Sequence, residues 1–357
     1  MTTTRRNILQ AVAAGICWTS VCCGLTHAQS RTSSPCFPQT THDSDLLLFV
    51  DDHWIAEQQG LRRVVNHAQP QSEPIIWPDD PRTETDCAWG NVIREQDGRF
   101  RLWYCTMTMG HNAGGPHEMA AAKVWGKGDD YAFPSGGGDR LLIVPDQRHR
   151  RWMAYVRAGG WSYPAFSYSS DLVKWSEADP APQITPKDVQ APAVECMIPF
   201  NYGNQDLGFP CGMDKPKGVF TVMLATRHDG TPWSWVENQQ PFIPFGPPDS
   251  YYATGAVPLH NEPFIVGDEL LIFFNAFSRN QATASRFGNR SIGVAKLRRD
   301  GFAGLTAMNN GKPGTLTTRP IMLKGDMRLL NVEQRSGQGQ AEVAILSETG
   351  DCLRHAL

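Results

Sequence analysis

The feature that most limits how this chain can fold is a repeated unit: a short apolar or aromatic run, an acidic turn, then an aromatic residue. Phe166-Ser167-Tyr168-Ser169-Ser170-Asp171-Leu172-Val173-Lys174-Trp175 and Leu224-Ala225-Thr226-Arg227-His228-Asp229-Gly230-Thr231-Pro232-Trp233 share it, with their aspartates 58 residues apart. Ile292 to Phe302 keeps the strand, an Asp-Gly turn and the aromatic. Runs of strand length recur at Leu46–Val50, Phe100–Tyr104, Trp152–Val156, Val219–Leu224 and Leu270–Phe274. Polar turns such as Gln96–Arg99 and Val266–Glu269 precede several of them, as hairpins require. No stretch of the exported chain keeps an apolar 3.6-residue period long enough for a helix. A period of about 50 to 70 residues holding about four strands is the pattern of β-propeller blades. Residues 45–313 have room for about five such units. The expected fold is therefore all-β, a five-bladed β-propeller. Three further runs, Thr315–Pro320, Leu329–Val332 and Glu342–Leu346, read as strands of a short or truncated β-sandwich-like segment over 314–357. The turn aspartates are expected to bond their own backbone.

Charge narrows the function. Thirty-three Lys and Arg face 36 Asp and Glu, a formal charge of -3, so there is no basic field to hold nucleic acid or an anionic membrane. Eleven Trp, 16 Phe and 8 Tyr supply aromatic faces instead.

The N-terminus reads as an address. Arg5-Arg6 lead into the apolar stretch Ile8–Leu25, and Thr26-His27-Ala28 offers a small residue at a cleavage position, so residues 1–28 are expected to be a signal peptide. Thr4-Arg5-Arg6-Asn7-Ile8-Leu9 resembles the twin-arginine export signal. The alternative is a single membrane anchor. With the signal removed no membrane span is expected, and the localisation is periplasmic or secreted. Ser, Thr, Gln and Pro over residues 29–44 mark a disordered spacer before the fold. Cys36, Cys87, Cys105, Cys196, Cys211 and Cys352 remain after cleavage, an even number that permits three disulfides of unranked connectivity in an oxidising compartment. No Cys-x-x-Cys or His-x-x-x-His spacing calls for a metal, and no cofactor is expected.

Four segments carry a resemblance to a known family: Gly98–Tyr104, Tyr168–Trp175, Arg227-His228-Asp229-Gly230 with Trp233, and Gly314–Pro320. In this order they resemble the five-bladed propeller proteins related to glycosyl hydrolase families 32 and 43, in particular the uncharacterised secreted members of planctomycete type. The resemblance implies a carbohydrate ligand in a central funnel and two carboxylates on inner strands. One protonates the leaving oxygen, and the other attacks or activates water. Glu195, a lone acid in Ala193-Val194-Glu195-Cys196-Met197-Ile198-Pro199-Phe200, fits the general acid, because apolar surroundings raise a carboxyl pKa. Glu195-Cys196 also looks like the Glu-Cys pair that holds the acid in family 32. The second carboxylate falls among Asp79, Asp80, Glu84 and Asp86, with Asp86 preferred and Glu84 next, because Asp86 leads directly into Ala88-Trp89-Gly90-Asn91-Val92. Trp89, Trp161, Tyr163 and Trp235 are candidates to stack on sugar faces, and His111, His117 and His228 to bond hydroxyls. The chain lacks the Trp-Met-Asn-Asp-Pro-Asn-Gly block and the Arg-Asp-Pro motif of family 32, and Ala253 stands where an acid is expected before Thr254-Gly255, which counts against invertase-type activity. The competing expectations are a propeller that binds glycan without cleaving it and a scaffold for protein partners.

Overall fold

The computed structural model describes residues 46–77, 86–107, 142–158, 163–172, 174–176, 193–214, 217–237, 240–259, 261–279, 290–308, 312–322, 329–333, 340–347 and 349–356. Asp86–Trp89, Tyr163 and Glu195 are described by their backbone alone.

Every regular element among these residues is a strand. In chain order they are β1 (Ile55–Gln59), β2 (Leu61–Val65), β3 (Gln69–Pro70), β4 (Asp86–Arg94), β5 (Phe100–Met107), β6 (Leu142–Asp146), β7 (Arg151–Ala158), β8 (Tyr163–Ser169), β9 (Ala193–Tyr202) and β10 (Gln205–Asp214). They continue with β11 (Val219–Val222), β12 (Ala225–Arg227), β13 (Ser234–Trp235), β14 (Gly255–Pro258), β15 (Phe264–Val266), β16 (Glu269–Phe277), β17 (Arg290–Arg298), β18 (Ala303–Ala307), β19 (Thr315–Thr318), β20 (Val343–Leu346) and β21 (Cys352–Ala356).

The strands group into antiparallel hairpins and meanders of unequal size rather than into regular four-stranded units. β6, β7 and β8 form an antiparallel meander. In the next unit β9 pairs β10, whose other edge is shared by β11 and β12, with β13 outside β12. The unit after that runs from β14 and β15, which share one edge of β16, through β17 to β3. A single parallel bridge, Phe220 to Gly255, joins the last two units into one ten-stranded sheet. No sheet closes on itself among the described residues.

Turn chemistry explains the hairpins. Gly98 and Gly267 take φ of 85° and 60° in the β4–β5 and β15–β16 turns, a region closed to most side chains. Asp171 accepts the Lys174 N–H at 2.8 Å, so this repeat aspartate bonds its own turn, as expected. The other two do not. Asp229 pairs across to Arg148 and His149, and Asp300 accepts the Tyr202 O–H at 2.6 Å.

Two runs expected as strands are irregular. Leu46–Val50 buries Leu48 and Val50 without pairing, and the chain then turns at Asp51–Trp54, where the His53 N–H bonds Asp51 Oδ1. Leu329–Val332 leaves Leu329 87% exposed, so it has no apolar face to dock on. The first strands pair with the last ones instead: β1 with β19, β2 with β18 and β3 with β17. β20 and β21 form a separate hairpin.

The main core gathers Phe200, Phe209, Phe242 and Phe302 in ring contact, with Met153, Phe166 and Phe274 also buried. A second cluster, Val92, Leu259, Phe273, Ile292 and Val294, lies where β4 meets β16 and β17.

Gly255 sits at φ 131° on the one parallel bridge between the two five-stranded halves of the ten-stranded sheet, and a Cβ there would collide with the Phe220 backbone. Gly255→Ala is expected to cost about 2 kcal/mol or more, measured by urea unfolding. A loss within about 0.5 kcal/mol would show that the bridge tolerates a side chain.

Candidate functional site

Two of the sequence-predicted acids, Asp86 and Glu195, lie on β4 and β9, the first strands of their units. Asp86 opens β4, opposite Met107. Glu195 is the third residue of β9, at a register shift: Cys196 pairs Cys211 and Val194 pairs Gly212, which leaves Glu195 as the extra residue of a β-bulge. Trp89 holds the same place on β4, between the pairs Ala88–Cys105 and Gly90–Tyr104. A bulge re-aims the side chain of its extra residue and is common beside active sites. Tyr163 opens β8, opposite Ala158. Asp79, Asp80, Glu84, His111, His117 and Trp161 lie outside the described residues.

His228 and Trp235 have clear surroundings. Trp235 pairs Ala225 from the edge strand β13 and packs half-buried on the main core. His228 is buried, donates from Nε2 to Asp51 Oδ2 at 2.8 Å, and stacks on the His53 ring at 3.7 Å. Its imidazole is thus engaged by the chain's own N-terminal segment.

A polar cluster that the sequence reading passed over lies at the ends of three hairpins. Its hub is Asn201, near the end of β9. The Asn201 amide donates to Asp206 Oδ1 at 2.7 Å and Asp146 Oδ1 at 3.4 Å, and its oxygen accepts the N–H groups of Gln147 at 2.7 Å and Arg148 at 3.3 Å. Both carboxylates are buried, so each needs cationic partners. Arg227 donates twice to Asp206 Oδ2, at 2.6 and 2.9 Å, and Arg148 reaches Oδ1 at 3.2 Å. Arg151 and His149 hold Asp146 at 2.9 and 2.8 Å. Burial alone would raise the Asp146 carboxyl, but these hydrogen bonds and charges outweigh it and hold it below its ordinary 3.8. Arg151 also stacks on Tyr168 at 3.8 Å, and Arg227 on Trp233 at 4.9 Å. A carboxylate so saturated neither donates a proton nor attacks, so the cluster fixes hairpin ends against one another. Asn201 lies six residues beyond Glu195 along β9, about 20 Å at strand rise, so the cluster and the bulge occupy opposite ends of the strand.

Glu262 was also missed. It stands in the break between β14 and β15, beside Asn261, whose amide clasps Val92 of β4: it accepts the Val92 N–H at 2.8 Å and donates to the Val92 carbonyl at 2.6 Å. Burial pushes the Glu262 carboxyl up to about 7. Like Glu195 it has Pro and an aromatic following, in Glu262-Pro263-Phe264, but His260-Asn261 before it hid it from a search for a lone acid among apolar residues. Among the described residues no three His, Cys, Asp or Glu side chains gather to hold a metal, and no helix is long and apolar enough to cross a membrane.

No protein-family model matches this chain, and no curated protein matches it. Its structural neighbours include glycoside hydrolases of families 43 and 62. One is a thermostable family-43 glycoside hydrolase, at TM-score 0.34 and 14% identity over 53% of this chain and 57% of that one. Another is an α-L-arabinofuranosidase from Podospora anserina in complex with cellotriose, at TM-score 0.32 and 13% identity over 65% of this chain and 98% of that one. A third is a family-43 endo-arabinanase from Bacillus licheniformis, at TM-score 0.26 and 14% identity over 52% of this chain and 82% of that one. The chain thus spans little more than half the length of the thermostable family-43 hydrolase.

Two outcomes follow from these geometries. Asn201→Ala leaves two buried carboxylates short of a donor and is expected to cost about 2–4 kcal/mol in urea unfolding; a loss under about 0.5 kcal/mol would mean that the arginines suffice. Glu262 has a folded pKa above its ordinary 4.5, so its contribution to stability is complete below about 4.5 and is lost as pH rises through about 7. Glu262→Gln should therefore flatten the decline in melting temperature between those values, and an unchanged pH profile would place the carboxyl in water.

Proposed function

We propose that this chain is an exported carbohydrate-active protein that hydrolyses a glycosidic bond at the axis of a five-bladed propeller. Glu195 acts as general acid, and Asp86, or Glu84 beside it, acts as base or nucleophile. The observation that carries the reading is the pair of bulges. Two of the sequence-predicted residues, Glu195 and Trp89, are the extra residues on β9 and β4, the first strands of their units. Asp86 stands three residues before Trp89, on the same strand.

In this reading Glu195 protonates the glycosidic oxygen as the bond to the anomeric carbon breaks. The second carboxylate either attacks that carbon or takes a proton from the attacking water, and the separation of the two carboxyls decides between retention and inversion. Trp89 supplies a face for the sugar ring. The domain reading that goes with it is a propeller over 45–313 followed by a β segment over 314–357, behind a signal peptide over 1–28 and a spacer over 29–44.

Purified protein should release reducing sugar from a plant or bacterial polysaccharide panel. Glu195→Gln should lower release at least about a hundredfold, in keeping with loss of a general acid. Its melting temperature should stay near wild type. Undiminished release would remove Glu195 from the mechanism. Binding on a glycan array with no release from any bound ligand would favour the non-catalytic reading.

A further inference from the structure

The N-terminal segment 46–54 buries Leu48 and Val50 in the core, accepts Arg63 Nε at the Phe49 carbonyl, and meets the β12–β13 turn through one compact set of groups. Asp51 Oδ2 accepts from His228 Nε2 at 2.8 Å, and Asp51 Oδ1 accepts the His53 N–H at 2.9 Å. The His53 ring lies flat on His228 at 3.7 Å and 13°, and it meets Trp54 edge-on at 4.7 Å. His228 heads the turn between β12 and β13, so these contacts tie the segment before β1 to another unit of the fold. β1 follows directly and pairs with β19, so the same segment leads into the pairing of the first strands with the last.

We propose that this stacked pair is an acid-labile latch: adding a second proton to the two imidazoles drives residues 46–54 off the β12–β13 turn and loosens the β1–β19 pairing. The Asp51 carboxylate bonds the His228 ring and the His53 backbone N–H, so only one of the two stacked rings has an acid bonded to it. A charge on His228 is offset by the Asp51 carboxylate that its ring contacts. A second, on His53, sets two like charges one ring-thickness apart.

The surrounding charges do not relieve it. Asp52 is paired with Arg63 of β2, which also approaches Glu237 beyond β13. Asp229, next to His228, is engaged by Arg148 and His149 of the β6–β7 turn. Arg319, just past β19, adds positive potential at His53.

Desolvation lowers the His53 pKa from its ordinary 6.5, and the His228 charge lowers it further, against a smaller opposing pull from Asp51. The released segment therefore binds the extra proton more readily than the latched one. Latch stability is complete above about 6.5 and falls as pH drops below it. Burial would raise the Asp51 carboxyl, but its bonds to His228 and the His53 N–H outweigh this and hold it below 3.8, so Asp51 stays ionised when His53 gains a proton.

Amide hydrogen exchange of residues 46–59, corrected for intrinsic exchange, tests the latch between about pH 7.5 and about pH 5, a range that brackets the ordinary histidine pKa. Wild type should lose at least about tenfold in protection on acidification, while β9 and β10 keep theirs. His53→Phe keeps a ring on His228 without a titrating charge, and its protection should not change with pH. His53→Gln, should the larger ring disturb the site, should be equally indifferent to pH. Protection in wild type that is the same at both values overturns the proposal. So does an equal loss in wild type and in both variants, because the responsive group would then lie elsewhere.

Discussion

An all-β chain must pair or cover every strand edge, and here the edges of the last strands are filled by the first ones. β1, β2 and β3 lie against β19, β18 and β17, so residues separated by more than two hundred positions form the ladders that hold the two ends of the fold together. Side chains reinforce this. The Tyr251 O–H donates to the Gln71 carbonyl at 3.0 Å, beside β3, and Asn66 Nδ2 donates to the Gly301 carbonyl at 2.8 Å, between β2 and β18. Such non-local pairing is slow to form, because loop closure precedes the contacts that reward it. It also explains why the approach to β1 is so heavily tied down.

The buried charges follow from the same architecture. Where hairpin ends of different units meet, polar turn groups are taken out of water and must find partners. Asn201 satisfies all four of its hydrogen-bonding positions there, and the arginines of the Asp146-Gln147-Arg148-His149-Arg150-Arg151 turn and of β12 neutralise the carboxylates. A network of this kind stabilises one arrangement of the units and does no chemistry itself, because its acceptors are already filled. Carboxyls available for reaction are those left outside it. Glu262 lies outside it.

Much of the fold was legible in the sequence because its signals were local. Gly98 and Gly267 marked turns that needed positive φ, and the runs at Phe100, Trp152, Val219 and Leu270 became strands. Leu46–Val50 was misread because apolar residues entering a core without a partner strand look the same as a strand in sequence. Leu329–Val332 failed for the opposite reason, having apolar residues with nothing to pack on. The partners of His228, Asp229 and Asp300 could not be read at all, since Asp51, Arg148 and Tyr202 lie far away along the chain. Nor could the bulges, which are a property of register between two strands rather than of either one. Glu262 was hidden because His260-Asn261 precede it, and its burial comes from the packing of β4 against the β14–β15 break rather than from its own flanks.

The central claim is that Glu195 and Asp86 address one cavity from the first strands of two units. A crystal structure of the Glu195→Gln variant soaked with oligosaccharide tests it most directly. The account predicts a sugar bound against Trp89 with the side chains of residues 195 and 86 facing it, about 5 to 10 Å apart. Residue 195 turned into bulk solvent, or a sugar bound away from both strands, would contradict it.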